Sequence, residues 1–132
     1  MLDTREKPGG VIVPVFTPIT EDECIDADGL RLLIRRLKSS GVHGLFFGGT
    51  AGSGPLLSER EWRGLMEIAA DEAAGDLCCM AGVITRTTKE ALRKISVLNE
   101  LNFDRIVIAP TYYLSLTQKS EFIHHFQACR DA

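Results

Sequence analysis

No apolar run in this chain approaches the roughly 20 residues that a membrane-spanning helix requires. Clustered lysine and arginine are also missing. The formal net charge is -3, which gives no hold on nucleic acid or an anionic membrane. The densest basic stretch, Arg31, Arg35, Arg36 and Lys38, reads as the solvated face of one amphipathic helix. Met1 to Gly10 is charged and has no apolar core, so no signal peptide is expected there. No CxxC occurs among the 4 cysteines, Cys24, Cys78, Cys79 and Cys129, so neither a zinc site nor any other metal is expected. Cys78 and Cys79 read as reduced core fillers on a strand, where neighbours point to opposite faces. No GxGxxG and no GK[ST] follows a strand, so no nucleotide and no other cofactor is expected. These absences predict a soluble, cytoplasmic protein.

What is present is a repeated pattern. The 132 residues, 45% hydrophobic and 25% charged, suffice for one ordinary domain, taken as residues 1–132 without an internal linker. An apolar, β-branched run, a loop and an amphipathic helix recur four times, with starts about 30 residues apart. The strand runs are Val11–Phe16, His43–Phe47, Leu77–Val83 and Arg105–Ala109. They are apolar almost throughout, as strands of a parallel sheet covered on both faces are. Ser58 with Glu61, and Thr87 with Glu90, fit capping boxes. Asp26 or Asp28 is placed to cap the first helix, and Thr117 the last. Leu30, Leu33, Ile34 and Leu37 form one helical stripe, and Ala91, Ile95, Leu98 and Leu101 another. Gly41 and Gly75 stop the first two helices, while Phe122, Ile123 and Phe126 predict a fourth. Two architectures use such βα units, an open doubly wound sheet and the (β/α)₈ barrel; periodicity alone leaves both open.

In either architecture the chemistry sits on loops after strand C-termini. The second such loop runs Gly48-Gly49-Thr50-Ala51-Gly52-Ser53-Gly54-Pro55-Leu56-Leu57-Ser58. Its glycines permit close backbone approach, and successive N–H groups there suit a small carboxylate better than a nucleotide. A plain glycine-rich connector is the competing reading. The fourth loop, Ala109-Pro110-Thr111-Tyr112-Tyr113-Leu114-Ser115, holds the chain's 2 tyrosines. A phenol there relays a proton or bonds a substrate oxygen, or packs at an interface. Thr17 reads as a turn residue and Trp62 as packing. Of His124 and His125, one is expected to face solvent and the other to pack; His43 lies away from the site.

These segments resemble those of the dihydrodipicolinate synthase / N-acetylneuraminate lyase family of class I aldolases. The match is carried by VPVFTP in the first strand, by Gly41 to Phe47, by Gly49-Thr50-Ala51-Gly52-Ser53 with Leu57, Ser58 and Glu61, and by Pro110-Thr111-Tyr112-Tyr113. The order and spacing agree over essentially the whole chain. The resemblance implies the first four βα units of a (β/α)₈ barrel. It implies that Gly49, Thr50, Ala51 and Gly52 hold the carboxylate of pyruvate or another 2-oxo acid. It also implies a proton relay from Thr50 to Tyr112 or Tyr113, one of which completes the relay of a neighbouring subunit in a dimer or tetramer.

There are departures. Ala51 replaces a hydroxyl of the family signature and Ser53 an acidic residue, a lean toward the sugar-acid aldolases. The family's strand-five tyrosine and its strand-six Schiff-base lysine are expected beyond Ala132. No lysine present substitutes: Lys38, Lys89, Lys94 and Lys119 are expected on helix surfaces, and Lys7 precedes the first strand. The chain is therefore expected to be inactive alone and to associate or aggregate through the apolar edge at Arg105–Ala109. The alternative function is a non-catalytic half-barrel that binds a small carboxylate or only self-associates.

Overall fold

The computed structural model describes residues 9–132 apart from positions 74, 76, 102 and 115. Lys7 and Ser115 thus lie outside the described residues. The elements run β1 (Ile12–Pro14), α1 (Ala27–Ser39), β2 (Gly44–Phe47), α2 (Glu59–Ala73), β3 (Cys78–Val83), α3 (Thr88–Leu101), β4 (Arg105–Ile108) and α4 (Lys119–Asp131). Each strand is one to three residues shorter than its apolar run. A 3-10 turn, Gly54–Leu56, precedes α2 and was not legible in the periodicity.

The strands form one 4-stranded sheet in the order β1-β2-β3-β4, and every pairing is parallel. This order decides between the two architectures. A flavodoxin-type sheet has its first strand between the second and third, whereas a barrel wall adds strands in sequence order. Val13, Leu45, Cys79 and Ile106 point toward the helices and join the core; Val15, Phe47, Ala81, Val83 and Ile108 continue it. Ile12, Phe46, Met80 and Val107 alternate with these along the strands and so face the concave side of the wall. Apolar side chains on both faces account for the near-continuous hydrophobic runs.

Helix α1 buries Leu30 and Ile34, and α3 buries Ala91, Ile95 and Leu98, as their stripes predict. Gly41 and Gly75 follow α1 and α2 with φ of 78° and 126°. Asp26 rather than Asp28 caps α1, accepting a 2.9 Å bond from the N–H of Gly29. Ser58 and Thr87 each accept from the N–H three residues on. The carboxylates of these two boxes bond elsewhere. Glu61 accepts from the N–H of Ile25 at 2.8 Å, tying the loop after β1 to α2, and Glu90 accepts from Arg86.

One expectation is corrected in α4. Its N-cap is Gln118, one residue past Thr117, in a reciprocal capping box with Glu121. Its buried residues are His125 and Cys129, while Ile123 and Phe126 are exposed. The aromatic spacing marks the helix but not its inner face. His125 accounts for this. Its Nε2 donates to the Ala109 carbonyl at 3.1 Å, so its Nδ1 accepts from the Thr88 hydroxyl at 3.0 Å. A fully hydrogen-bonded imidazole buries without penalty. His124 faces solvent, as expected for one of the pair.

Arg31 and Arg35 do more than face solvent. Arg31 reaches Asp71 and Glu72 at 2.7 and 2.8 Å, and Arg35 reaches Glu72 at 2.6 Å, clamping α1 to α2. The Arg35 and Arg31 guanidinium groups hold the Glu72 carboxyl down to about 2.

Candidate functional site

The C-terminal ends of the parallel strands share one rim, so the loops after β1, β2, β3 and β4 gather there. The glycine-rich loop after β2 folds back on itself. The N–H of Gly54 donates to the Gly49 carbonyl at 3.0 Å, and that of Ser53 to Thr50 at 3.0 Å. Close approach demands glycine at two positions. A Cβ on Gly52 would stand 2.6 Å from the Val15 carbonyl oxygen, and one on Gly54 would overlap the Gly48 carbonyl. Ser53 sits in the left-handed region at φ 55°, a local strain that the surrounding bonds must hold. The serine in place of an acidic residue therefore leaves the loop compact.

Thr17 anchors this loop. Its hydroxyl donates to the Gly52 carbonyl at 2.6 Å, linking the end of β1 to the loop after β2. Gly49 and Gly52 are buried, whereas Thr50 and Ala51 are exposed. Among the described residues, the N–H groups of Thr50, Ala51 and Gly52 donate to no protein oxygen. Three consecutive backbone donors are thus left without a protein partner beside buried glycines.

The tyrosines after β4 diverge. Tyr112 turns toward the outer helices, and its phenol donates to the Pro55 carbonyl at 3.4 Å. Tyr113 is 89% exposed, with φ 77°. A bulky aromatic residue in that region is strained, and such strain concentrates at functional positions. Its phenol and the Thr50 hydroxyl have no hydrogen-bond partner among the described residues. The structure brings Thr50, Gly49, Ala51 and Gly52 into one loop; it bonds Tyr112 to Pro55, farther along the same loop, and presents Tyr113 outward.

The lysine expectation fails at Lys94. It is 8% exposed, not on the helix surface, and its Nζ lies 4.6 Å from the centre of the Trp62 ring. Burial pushes its amine below the ordinary lysine range, against the pull of Glu90 and Glu59, with Arg86 adding to the depression. A readable signal was present. Ala91, Lys94, Ile95 and Leu98 fall at i, i+3, i+4 and i+7, so the stripe itself placed Lys94 inward. Trp62 packs in the core as expected, and its Nε1 has no partner.

The cysteines behave as core fillers except Cys24, which is exposed. Burial pushes the Cys79 thiol up to about 12, with Asp104 adding to the effect. Among the described residues no group of three or more His, Cys, Asp or Glu side chains is placed to hold a metal ion. None of their helices is long and apolar enough to cross a membrane.

A sequentially ordered parallel wall with its loops gathered at one rim defines a barrel of the (β/α) class, of which this chain carries the first four units. Comparison with known proteins names the kind of barrel. Residues 7–131 match the Dihydrodipicolinate synthetase family, and the chain belongs to that family. It is 37% identical over 116 residues to the 4-hydroxy-tetrahydrodipicolinate synthase of Methanopyrus kandleri, an alignment spanning 87% of this chain and 39% of the relative. It is 29% identical over 123 residues to the N-acetylneuraminate lyase of Citrobacter koseri, across 93% of this chain and 41% of that one. The crystal structure of YagE, a prophage protein of the dihydrodipicolinic acid synthase family from E. coli K12 in complex with pyruvate, superposes with a TM-score of 0.87 at 28% identity, over 92% of this chain and 41% of that one. The chain thus spans about two fifths of the length of the relatives it matches.

Proposed function

We propose that residues 1–132 are the N-terminal half of a barrel whose whole is a lyase or aldolase acting on pyruvate or a related 2-oxo acid through a lysine Schiff base. The lysine belongs to the second half of such a barrel; this half supplies the carboxylate cradle and part of the proton relay. The observation that carries the reading is the set of free N–H groups at Thr50, Ala51 and Gly52, in a loop clamped by Thr17. A 2-oxo acid seated there gains three charge-assisted hydrogen bonds, and its keto carbon is held for amine attack. The loss of a hydroxyl at Ala51 removes one side-chain contact but no backbone donor.

In this reading Thr50 and the tyrosines move the proton. Tyr113 is the stronger choice for a relay completed across subunits, because its strained backbone lifts the phenol away from its own chain, and this supports a homo-oligomer. Its reduced cysteines, three of them buried, suit the cytoplasm.

Titrating pyruvate into the isotopically labelled chain, observed by amide NMR, tests the cradle. Shifts confined to Thr50, Ala51 and Gly52 are expected. Saturating pyruvate with no shift in this loop would remove the proposal.

A further inference from the structure

A cavity of about 710 Å³ opens between the first turns of α2 and α3. Four cations line it, Arg86, Lys89, Arg93 and Lys94, against two carboxylates, Glu59 and Glu90. Glu90 is committed to Arg86: it pairs with the guanidinium at 3.5 Å and accepts from the Arg86 N–H. Among the described residues, the side chains of Lys89, Arg93 and Lys94 make no hydrogen bond and no ion pair. Lys89 and Arg93 stand one turn apart on α3, a like-charge pair that costs the helix stability. Lys94 is 8% exposed, and its Nζ rests 4.6 Å from the centre of the Trp62 ring. Glu90 and Glu59 act on it only at a distance, too weakly to offset the burial that lowers its basicity. A buried ammonium ordinarily has a carboxylate in contact; this one lines an open cavity instead. The N-terminal ends of α2 and α3 add positive potential at the same place.

We infer that this cavity binds a small, doubly charged oxyanion of the phosphate class, with Lys94 as its buried contact and Lys89 and Arg93 at the entrance. The charge balance selects a dianion. Arg86 and Glu90 cancel each other, and Glu59 offsets one of the three remaining cations, so two positive charges are left. A monocarboxylate would neutralise only half of that. Inorganic phosphate and a phosphate monoester share this chemistry, and the volume admits either. Binding draws the Lys94 ammonium from the face of Trp62 toward the anion, so Trp62, the chain's only tryptophan, reports occupancy. The site shares no residue with Gly49 to Gly52, and the inference does not rest on the reading of that loop.

The test titrates inorganic phosphate into the isotopically labelled chain at fixed ionic strength, followed by Trp62 fluorescence and amide NMR. A saturable change in Trp62 is expected, with amide shifts from Thr88 to Lys94. Sulfate should act like phosphate, and nitrate, a monoanion, should bind about ten-fold more weakly. Lys94→Met keeps apolar bulk over Trp62 and removes the charge; it should lose about ten-fold in affinity or more. Should that variant not fold, two changes at the cavity rim decide: Arg93→Gln should weaken binding and Glu59→Gln should tighten it, each by about three-fold to ten-fold. Glycerol 3-phosphate identifies the source. A tighter hold on the ester marks a phosphorylated metabolite and equal affinities mark the free ion; either result upholds the site. A change that never saturates, or that nitrate reproduces at the same concentrations, overturns the inference. So do affinities unmoved by both rim variants, and so do shifts confined to Thr50, Ala51 and Gly52, which would place the anion in the glycine loop.

Discussion

The hydroxyl of Thr17 and the carbonyl of Gly52 are joined by a 2.6 Å hydrogen bond that spans 35 positions of sequence. It connects the segment after the first strand to the glycine-rich loop after the second. Thr17→Val is expected to lower stability by about 1 kcal/mol, as loss of one part-buried hydrogen bond does. Gly52→Ala should lower it by about 1–3 kcal/mol, because the new methyl meets a fixed backbone oxygen. Urea unfolding measures both, and in both variants the pyruvate-induced amide shifts of the loop should weaken. An unchanged midpoint in both would refute the anchoring role.

His125 joins three elements, with Thr88 at the start of α3 and Ala109 at the end of β4. His125→Phe keeps the bulk and removes both bonds, stranding a buried hydroxyl and carbonyl. The expected loss is about 1–3 kcal/mol, with Thr88→Val costing less because one partner of the imidazole remains. Equilibrium denaturation of the two variants checks the order.

The Glu72 carboxyl is held at about 2, against an ordinary 4.5, by Arg35 and Arg31. A depressed carboxylate stabilises the fold above the higher value and loses that contribution as pH falls through the lower one. Stability should therefore decline between about pH 4.5 and pH 2, and Glu72→Gln should flatten that limb while lowering stability at neutral pH. Thermal melts across this range settle the matter; an unaltered acid limb in the variant would exclude the pair as its source.

Thiol accessibility separates one cysteine from three. Cys24 is exposed, whereas Cys78, Cys79 and Cys129 are buried and burial raises the thiols of Cys79 and Cys129. In the native chain a thiol reagent should modify Cys24 within minutes and the others only as fast as the protein opens. Rapid reaction at Cys79 without denaturant would contradict the packing of β3.

The βα order, the strand positions and the inner faces of α1 and α3 were legible because apolar periodicity reports burial directly. The 3-10 turn at Gly54–Leu56 and the antiparallel bridge between Ile19 and Ile25 were not. Both are set by single backbone conformations, Ser53 in one case and Glu23 at φ 59° in the other, which carry no period. The inward face of α4 carried no readable stripe, because burial of His125 depends on two partners distant in sequence. Lys94 was misread because charge outweighed position. The glycine loop announced its flexibility, while its anchor at Thr17 emerges only when two strands lie side by side. The same holds for the separation of Tyr112 from Tyr113, which a strained backbone angle produces.

Because each strand pairs only with its neighbours in sequence, the contacts of this wall are made in the order in which the residues leave the ribosome. At roughly 5–20 residues per second, a βα unit of about 30 residues takes seconds to appear. That is long compared with the closure of contacts so near in sequence. Each new hairpin-sized unit thus finds its docking edge already built, and Val107 and its neighbours on β4 are left as the template for whatever strand is placed beside them.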